Sequence, residues 1–509
     1  MLILRDYQAA AIADAQSALR RSKRVLIQLS TGGGKTALAC HMVKTASDRG
    51  RSSLFLCHRT ELINQTSKSM QKWHVSHGLL TAGRSVDTTQ DVLIGSIGTI
   101  AKRLDSISFE PKMVIWDECH HVAARSWASI HERFSRAYHI GLSATPMRTD
   151  GTGLSDYFDE MIHGPSTAWL MEHGHLSQYR AFAPAQTSEQ KQLVGDVVAH
   201  WLQHAKGMRT VAFATNVEAS QAIAANFVAL GVPAMHLDGK TPPAIRAQAI
   251  AQFARGEILV LSNVDLFGEG FDLSAIAGCD VTIDAVILAR ATDSLGLYLQ
   301  WVGRALRPAP GKIAVILDHC GNIARHKPPE FERTWSLTGK AIKESEPVGP
   351  LPFKCMECQG DILRPVPPRC PYCNAEISIE IRKRDIEQVA GELVELDRSL
   401  ALRLAVETAA SDHGLRLFRP DDFELPASLG ASPNELATIL KSAGFERKTA
   451  GRWQKALTAE QKAERERERK ACKTFEELEQ LAKVRGYSPG WADKVWGSRP
   501  RNAPVRGVH

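Results

Sequence analysis

The feature that most constrains this chain is an alternation, repeated over its first 340 residues, of short apolar β-rich runs with helical patterns. VLIQL (25–29), SLFLC (53–57), DVLIG (91–95), MVIWD (113–117) and HIGLS (139–143) make a first series. TVAFA (210–214), AMHLD (234–238), ILVLS (258–262), VTIDAVIL (281–288) and IAVILD (313–318) make a second. A strand that is apolar on both faces must be covered on both, and helices between successive strands provide the cover, so each series predicts a parallel sheet in an α/β domain. The change from one series to the next is expected in AFAPAQTSEQK (181–191), where polar and turn-forming residues interrupt the pattern.

At 509 residues the chain is too long for one core, and 44% hydrophobic with 23% charged residues suits globular domains. The formal charge of +7 is compatible with a polyanionic partner without identifying one. No leader-like apolar stretch opens the chain and no run is long enough to span a bilayer, which predicts no membrane association and a cytoplasmic location. Ten cysteines comprise two CxxC pairs and six singles, at 40, 57, 119, 279, 320 and 472, a pattern for reduced thiols with one metal site rather than a disulfide framework.

Two stretches carry phosphate chemistry. Ser30-Thr31-Gly32-Gly33-Gly34-Lys35-Thr36 follows a strand and precedes a helical pattern, so backbone N–H groups and a helix N-terminus can meet phosphate, Lys35 can reach the β and γ phosphates, and Thr36 can ligate Mg²⁺. The pattern GxxxxGK[ST] is incomplete, because Leu29 stands at its first glycine. VIWDECHH (114–121) ends an apolar strand in two carboxylates, a thiol and two imidazoles. A zinc site there would need Cys119, His120 and His121 to converge, yet successive strand residues point to opposite faces. A carboxylate at the end of a buried parallel strand can instead hold Mg²⁺, with its neighbour acting on water: Asp117 and Glu118 fit those tasks. Cys119 and His121 are expected to be structural.

With these stretches in place, the chain resembles the superfamily 2 helicases, with DECH as the DExH box. The resemblance continues in order through LRDYQ (4–8), HRTEL (58–62), GSIGTI (95–100), SATP (143–146), VDLFGEGFD (264–272) and QWVGRALRP (300–308). MEHGHL (171–176), GKTPPAIR (239–246), YLQWVGRALRPAPGK (298–312) and LDHCGN (317–322) are similar to the RadD-type DNA-repair helicases and their phage-borne relatives, which implies a bacterial or phage-infected cell. The resemblance implies two tandem RecA-like motor domains. It implies that Gln8 recognises adenine, that Thr31, Gly32, Gly33, Gly34, Lys35 and Thr36 hold ATP and Mg²⁺, that Asp117 ligates the metal and that Glu118 activates water. His120 couples the box to the cleft, Ser143 and Thr145 link hydrolysis to motion, Arg304 and Arg307 act as arginine fingers, and Gln300, Gly270 and Asp272 complete the interface.

A motor of this kind grips DNA, single-stranded or branched, through phosphates. Arg59, Thr60, Ser96, Thr99, Thr215, Asn216, Ser262 and Asn263 are candidates, each with an alternative as a helix cap or turn former. RNA is not excluded as the polymer, and replication or recombination proteins are possible partners. Cys355, Cys358, Cys370 and Cys373 have the two-knuckle spacing of a structural Zn²⁺ ribbon. The expected domains are 1–187 (ATP-binding motor domain), 188–340 (second motor domain), 341–378 (linker and zinc ribbon) and 379–509 (a mostly helical region). Residues near 411–456 suggest either a winged-helix-like DNA-binding element or a helical hairpin. A restriction or defence motor remains an alternative, though no convincing nuclease motif is found, and a non-enzymatic zinc and DNA adaptor is opposed by the intact Lys35, Asp117, Glu118, Arg304 and Arg307.

Overall fold

The computed structural model describes residues 4–57, 60–81, 89–121, 124–148, 153–184, 193–264, 266–267, 273–338, 353–354, 361–362, 388–413, 425–426, 429–442 and 475–484, with isolated positions between 453 and 496. Among them, β1 (Arg24–Gln28), β2 (Ser53–Cys57), β3 (Gly78–Leu80), β4 (Val92–Ser96), β5 (Met113–Asp117), β6 (Tyr138–Ser143) and β7 (Glu160–His163) form one sheet in the order β3-β4-β2-β5-β6-β1-β7. Every pairing in it is parallel.

Beyond it lie β8 (Gln178–Pro184), β9 (Leu193–Val194), β10 (Thr210–Ala214), β11 (Ala234–Leu237), β12 (Val260–Asn263), β13 (Ala285–Ala289) and β14 (Ile313–Asp318). They are followed by β15 (Phe353–Lys354), β16 (Asp361–Ile362), β17 (Gln388–Val389) and β18 (Leu393–Glu395). The second sheet runs β11-β12-β10-β13-β14-β8-β18, parallel except for β18 on β8. Two short pairs, β15 with β16 and β17 with β9, stand apart.

All ten apolar runs form strands, VTIDAVIL contributing only its second half. Two features depart from the sequence reading. Residues 178–184, expected at the end of the first domain, pair with β14 and so belong to the second sheet, ahead of the change of domain placed at 187. The region beyond 378, expected to be mostly helical, first adds β18 to that sheet, where Glu395 pairs with Arg180. Both strands are recruited by an open sheet edge, a partner that local sequence does not display. The helices Arg398–His413, Pro433–Ser442 and Phe475–Val484 follow. The second has a reciprocal cap, Glu435 N donating to Ser432 Oγ (3.1 Å) and Ser432 N to Glu435 Oε2 (3.3 Å).

One apolar cluster runs continuously from Val25 and Phe55 of the first domain to Val211 and Trp301 of the second. The chain also crosses back after β14: the Leu337 carbonyl accepts hydrogen bonds from the Leu154 and Ser155 amides (2.7 and 2.9 Å). Beneath that contact, Trp116 packs on Trp127 with ring centroids 3.7 Å apart, and Trp116 Nε1 donates to His139 Nδ1 at 3.1 Å. Burial holds the His139 imidazole down to about 4, so it stays neutral. Gly141 in β6 leaves room for the Phe158 ring, since a Cβ there would lie 2.3 Å from Phe158 Cζ. Gly141→Ala is expected to destabilise the protein by about 1–3 kcal/mol through overpacking, read as a lower urea midpoint at unchanged slope.

Candidate nucleotide site

Register alone brings the phosphate motifs together. Gln28 of β1 is opposite Ser143 of β6, and Asp117 of β5 is opposite Leu142, so the C-terminal ends of three adjacent strands form one rim. Ligands of open parallel sheets bind at such rims because the loops there are free to diverge.

From β1 the chain enters the phosphate loop, where Gly32 and Gly34 adopt φ of 84° and 85°. These left-handed angles disfavour any side chain, and a Cβ at Gly34 would also lie 2.3 Å from Gln8 Nε2. The helix Lys35–Ser47 starts from Gly34, which leaves its first-turn N–H groups for an anion. Gln8 is held at the loop: its Nε2 donates to the Gly33 carbonyl (3.0 Å), its Oε1 accepts from Arg5 N (3.0 Å), and Tyr7 Oη donates to the same Gly33 carbonyl (2.9 Å). Leu29 has a physical account here. It is fully buried and needs space beside Gly33 and Gly164, where added Cβ atoms would lie 2.9 and 2.7 Å from its side chain. Gly33 and Gly164 thus leave the space that the Leu29 side chain fills.

On the second rim strand, Glu118 takes φ of 47°, a left-handed angle for a residue with a side chain, at a cost of about 1–3 kcal/mol. The turn brings its carboxylate to Lys35 Nζ (3.3 Å to Oε1) and His120 Nδ1 (3.6 Å to Oε2). His120 Nδ1 and Ser143 Oγ are 2.9 Å apart, and Ser143 Oγ accepts from the Thr145 amide at 3.1 Å. Lys35, Glu118, His120, Ser143 and Thr145 thus form one polar chain across the rim. Burial, then the neighbouring Glu118 charge, pushes the Asp117 carboxyl up to about 7, with Lys35 pulling the other way. A carboxylate so desolvated, with the exposed Thr36 hydroxyl on the first turn of the loop helix, is a donor set suited to a hard divalent cation. Cys119 is packed in the core with its thiol raised by burial, a structural residue.

The second domain faces this rim with the helix Leu295–Ala305, which carries buried Gln300 and Arg304, with Arg307 just past its C-terminal cap. The contact is close: Cβ atoms added at Gly303 and Gly296 would lie 2.5 Å from Thr31 Cγ2 and 3.0 Å from Thr145 Oγ1. Among the described residues, Thr31 Oγ1, Thr145 Oγ1 and both amide atoms of Gln300 are buried with no hydrogen-bond partner. Each such atom costs about 1–3 kcal/mol and is available to a ligand's polar groups. A cavity of 310 Å³ follows the seam behind the loop, lined by Thr31, His163, Val302, Gly303 and Arg333 among others. Ser30 and Thr31 of the phosphate loop line it, whereas Lys35, Asp117 and Glu118 do not.

Candidates for polymer contact occupy structural positions where they are described. Ser96 Oγ and Asn216 Oδ1 cap helices, accepting from Thr99 N (3.2 Å) and Ala219 N (2.7 Å). Ser96 Oγ also donates to Thr99 Oγ1 (2.7 Å), and Thr215 Oγ1 donates to the Ala289 carbonyl (3.3 Å). Ser262 is fully buried against Ser220 (2.7 Å), and Asn263 joins the Ala212 carbonyl (2.9 Å) to the Phe267 amide (3.1 Å). Thr60 begins the helix Thr60–Lys72. Arg59, Gly270, Asp272, Cys355, Cys358, Cys370 and Cys373 lie outside the described residues. Among the described residues, no cluster of three or more metal-ligating side chains occurs and no helix is long and apolar enough to cross a membrane. The Gly296 and Gly303 contacts escaped sequence reasoning, although two glycines seven apart in a helical pattern are a visible signal.

Two sheets apposed across a phosphate loop, with paired carboxylates on one side and an arginine-bearing helix on the other, define a nucleotide-hydrolysing motor. Residues 1–148 match the family model described as "Type III restriction enzyme, res subunit", and residues 191–309 match "Helicase conserved C-terminal domain". A 51.5 kDa protein of a Lactococcus phage is 31% identical over 410 residues, covering 76% of this chain and 86% of its own. A Schizosaccharomyces pombe protein named as a candidate mitochondrial ATP-dependent helicase, irc3, is 30% identical over 369 residues, covering 64% of this chain and 58% of its own. Among solved structures, an ATP-dependent Type ISP restriction-modification enzyme, LlaBIII, bound to DNA, aligns with a TM-score of 0.46 at 17% identity, over 62% of this chain and 27% of that one. The chain belongs to the superfamily 2 helicases and is an ATPase of that family.

The Asp117 shift has a signed consequence. With a folded pKa of about 7 against an unfolded value of about 3.9, the folded state keeps a proton that the unfolded state has lost between those limits. Its contribution to stability therefore declines as pH rises from about 4 to about 7 and is level above that range. Asp117→Asn removes this slope. In EDTA, the variant is expected to gain stability on the parent across that window, measured by urea denaturation at a series of pH values.

Proposed function

We propose that the chain is an ATP-driven DNA translocase or helicase of replication, recombination or repair, allied to the RadD-type branch. The observation that carries this reading is the polar chain from Lys35 through Glu118 and His120 to Ser143, which joins the phosphate loop to the segment abutting the second domain. Asp117 and Thr36 would hold the Mg²⁺ that accompanies ATP. That ion supplies charge neutralisation at the phosphates. Lys35 neutralises phosphate charge and, through its ion pair, keeps the Glu118 carboxylate facing the loop. Glu118 accepts the proton of the attacking water, while His120 links the carboxylate to Ser143. Arg304 and Arg307 stabilise charge on the transferred group from the other side of the cleft. Gln8, already oriented by the loop carbonyls, recognises the adenine edge.

Polymer binding would rest on phosphate contacts from backbone amides and basic groups at the strand ends of both domains, so it carries no sequence preference. The four cysteines would hold a structural Zn²⁺, supported by their CxxC spacing alone. A second reading, a restriction-system motor, is favoured by the match of residues 1–148 to a restriction-subunit model. DNA cleavage by this chain with a partner subunit would separate that reading from the first.

ATP turnover by the purified chain should rise with single-stranded, duplex or forked DNA, and Lys35→Ala and Glu118→Gln should each lower it by at least about a hundredfold. Turnover indifferent to every nucleic acid, or undiminished in both variants, would refute the assignment; stimulation by RNA alone would move it to the other polymer. Metal analysis of the double variant Cys370→Ser/Cys373→Ser should show loss of the bound zinc carried by the parent, and full retention would exclude this ligand set.

A further inference from the structure

The helix that carries Arg304 and ends just before Arg307 contains two glycines in its eleven residues, at 296 and 303. Each costs about 1 kcal/mol in helix propensity, and neither has the positive φ that would require a glycine. Spacings of four and three residues place Gly296, Gln300 and Gly303 along one face, and Arg307 follows just past the C-terminal cap. That face meets the first domain at both glycines. A Cβ at Gly303 would lie 2.5 Å from Thr31 Cγ2 and 2.8 Å from Thr31 Cβ, and one at Gly296 would lie 3.0 Å from Thr145 Oγ1. Optimal carbon separations are about 3.5–4.0 Å, so even a methyl group at 303 forces the helix and the loop apart. Thr31 belongs to the phosphate loop, and the Thr145 amide donates to Ser143 at the end of the polar chain. Beyond Gly303 the helix is held again: Ser177 N and Oγ donate to the Leu306 and Arg307 carbonyls (2.8 and 3.2 Å), and Lys312 Nζ donates to the Arg307 carbonyl at 2.7 Å.

We propose that Gly296 and Gly303 are positioning residues for ATP hydrolysis: by admitting Thr145 and Thr31 at contact distance, they set how closely the arginine helix approaches the phosphate loop. The inference rests on the roles proposed above for Arg304 and Arg307. In contrast to a glycine chosen for flexibility, these two act by what they lack, and each has a named opposing atom.

The opposing atoms make the test specific. In the full chain, Gly303→Ala should lower kcat for ATP about tenfold to a hundredfold, the scale of a displacement near 1 Å, while fluorescent-ADP affinity changes little. In a Thr31→Gly background, which lacks both opposing carbons, the same substitution should cost no more than about threefold. Gly296→Ala should show a smaller loss that disappears in a Thr145→Ala background and persists in Thr145→Val, which keeps the bulk without the hydroxyl. Full turnover of folded Gly303→Ala, or equal losses in both backgrounds, overturns the proposal. Should Gly303→Ala fail to fold, the milder Gly296 and Thr145 pair decides by the same criterion. Arg304→Ala separates the two levels: no loss there overturns the finger assignment and the positioning together, whereas a loss there beside a fully active Gly303→Ala overturns the positioning alone.

Discussion

Two adjacent carboxylates, desolvated at the end of a buried strand against a single ammonium group, are the constraint on which the rest of the site depends. Asp117 ends β5 with its carboxyl pushed up to about 7, and Glu118 folds back through a left-handed backbone to reach Lys35. Left in water, such a pair would separate; here the parallel sheet fixes its position. Strand β5 lies between β2 and β6, with Trp116 beside its last residue packed on Trp127. The site is electrostatically incomplete: burial and the Glu118 charge raise the Asp117 carboxyl against the single Lys35 ammonium, and the cation proposed above would supply the missing positive charge.

That incompleteness extends to the second domain through contact as well as charge. Ser143 receives the polar chain, its neighbour Thr145 abuts Gly296, and Thr31 in the phosphate loop abuts Gly303. Motion of the loop or the box therefore bears directly on the helix that holds Arg304 and leads into Arg307. The return of the chain from β14 to the Leu154 and Ser155 amides ties the two domains a second time, apart from the connection between their sheets. One covalent connection between the sheets is thus supplemented by a hydrogen-bonded contact at Leu337.

Much of the fold was legible because buried parallel strands are written as continuous apolar runs. TVAFA and IAVILD, for example, form β10 and β14 over the same residues. β7 and β8 were not legible in this way: β7 is an edge strand with no fully buried residue, and residues 181–184 of β8 lie in the stretch read as the change of domain. β18 is three residues long and owes its existence to the free edge of β8. In the site, Lys35, Glu118 and His120 converge as their order along the chain implied. Ser262 and Asn263 are instead engaged within the second sheet, because a hydroxyl or amide at a strand end can satisfy a neighbouring backbone as readily as a phosphate.

The sequence by itself carried the residues of the proposed chemistry, since these depend on residue type and local spacing: a glycine-rich loop before Lys35, two adjacent carboxylates at a strand end, and Arg304 with Arg307. Leu29 shows where that determination stops. From the sequence it is a flaw in the loop pattern, whereas the folded chain accommodates it beside Gly33 and Gly164, the latter 135 residues away in sequence. Only the tertiary structure decided how near the arginine helix comes to the loop. That distance is set by two glycines opposite two threonines in another domain, and no local preference encodes which atoms a missing side chain will admit.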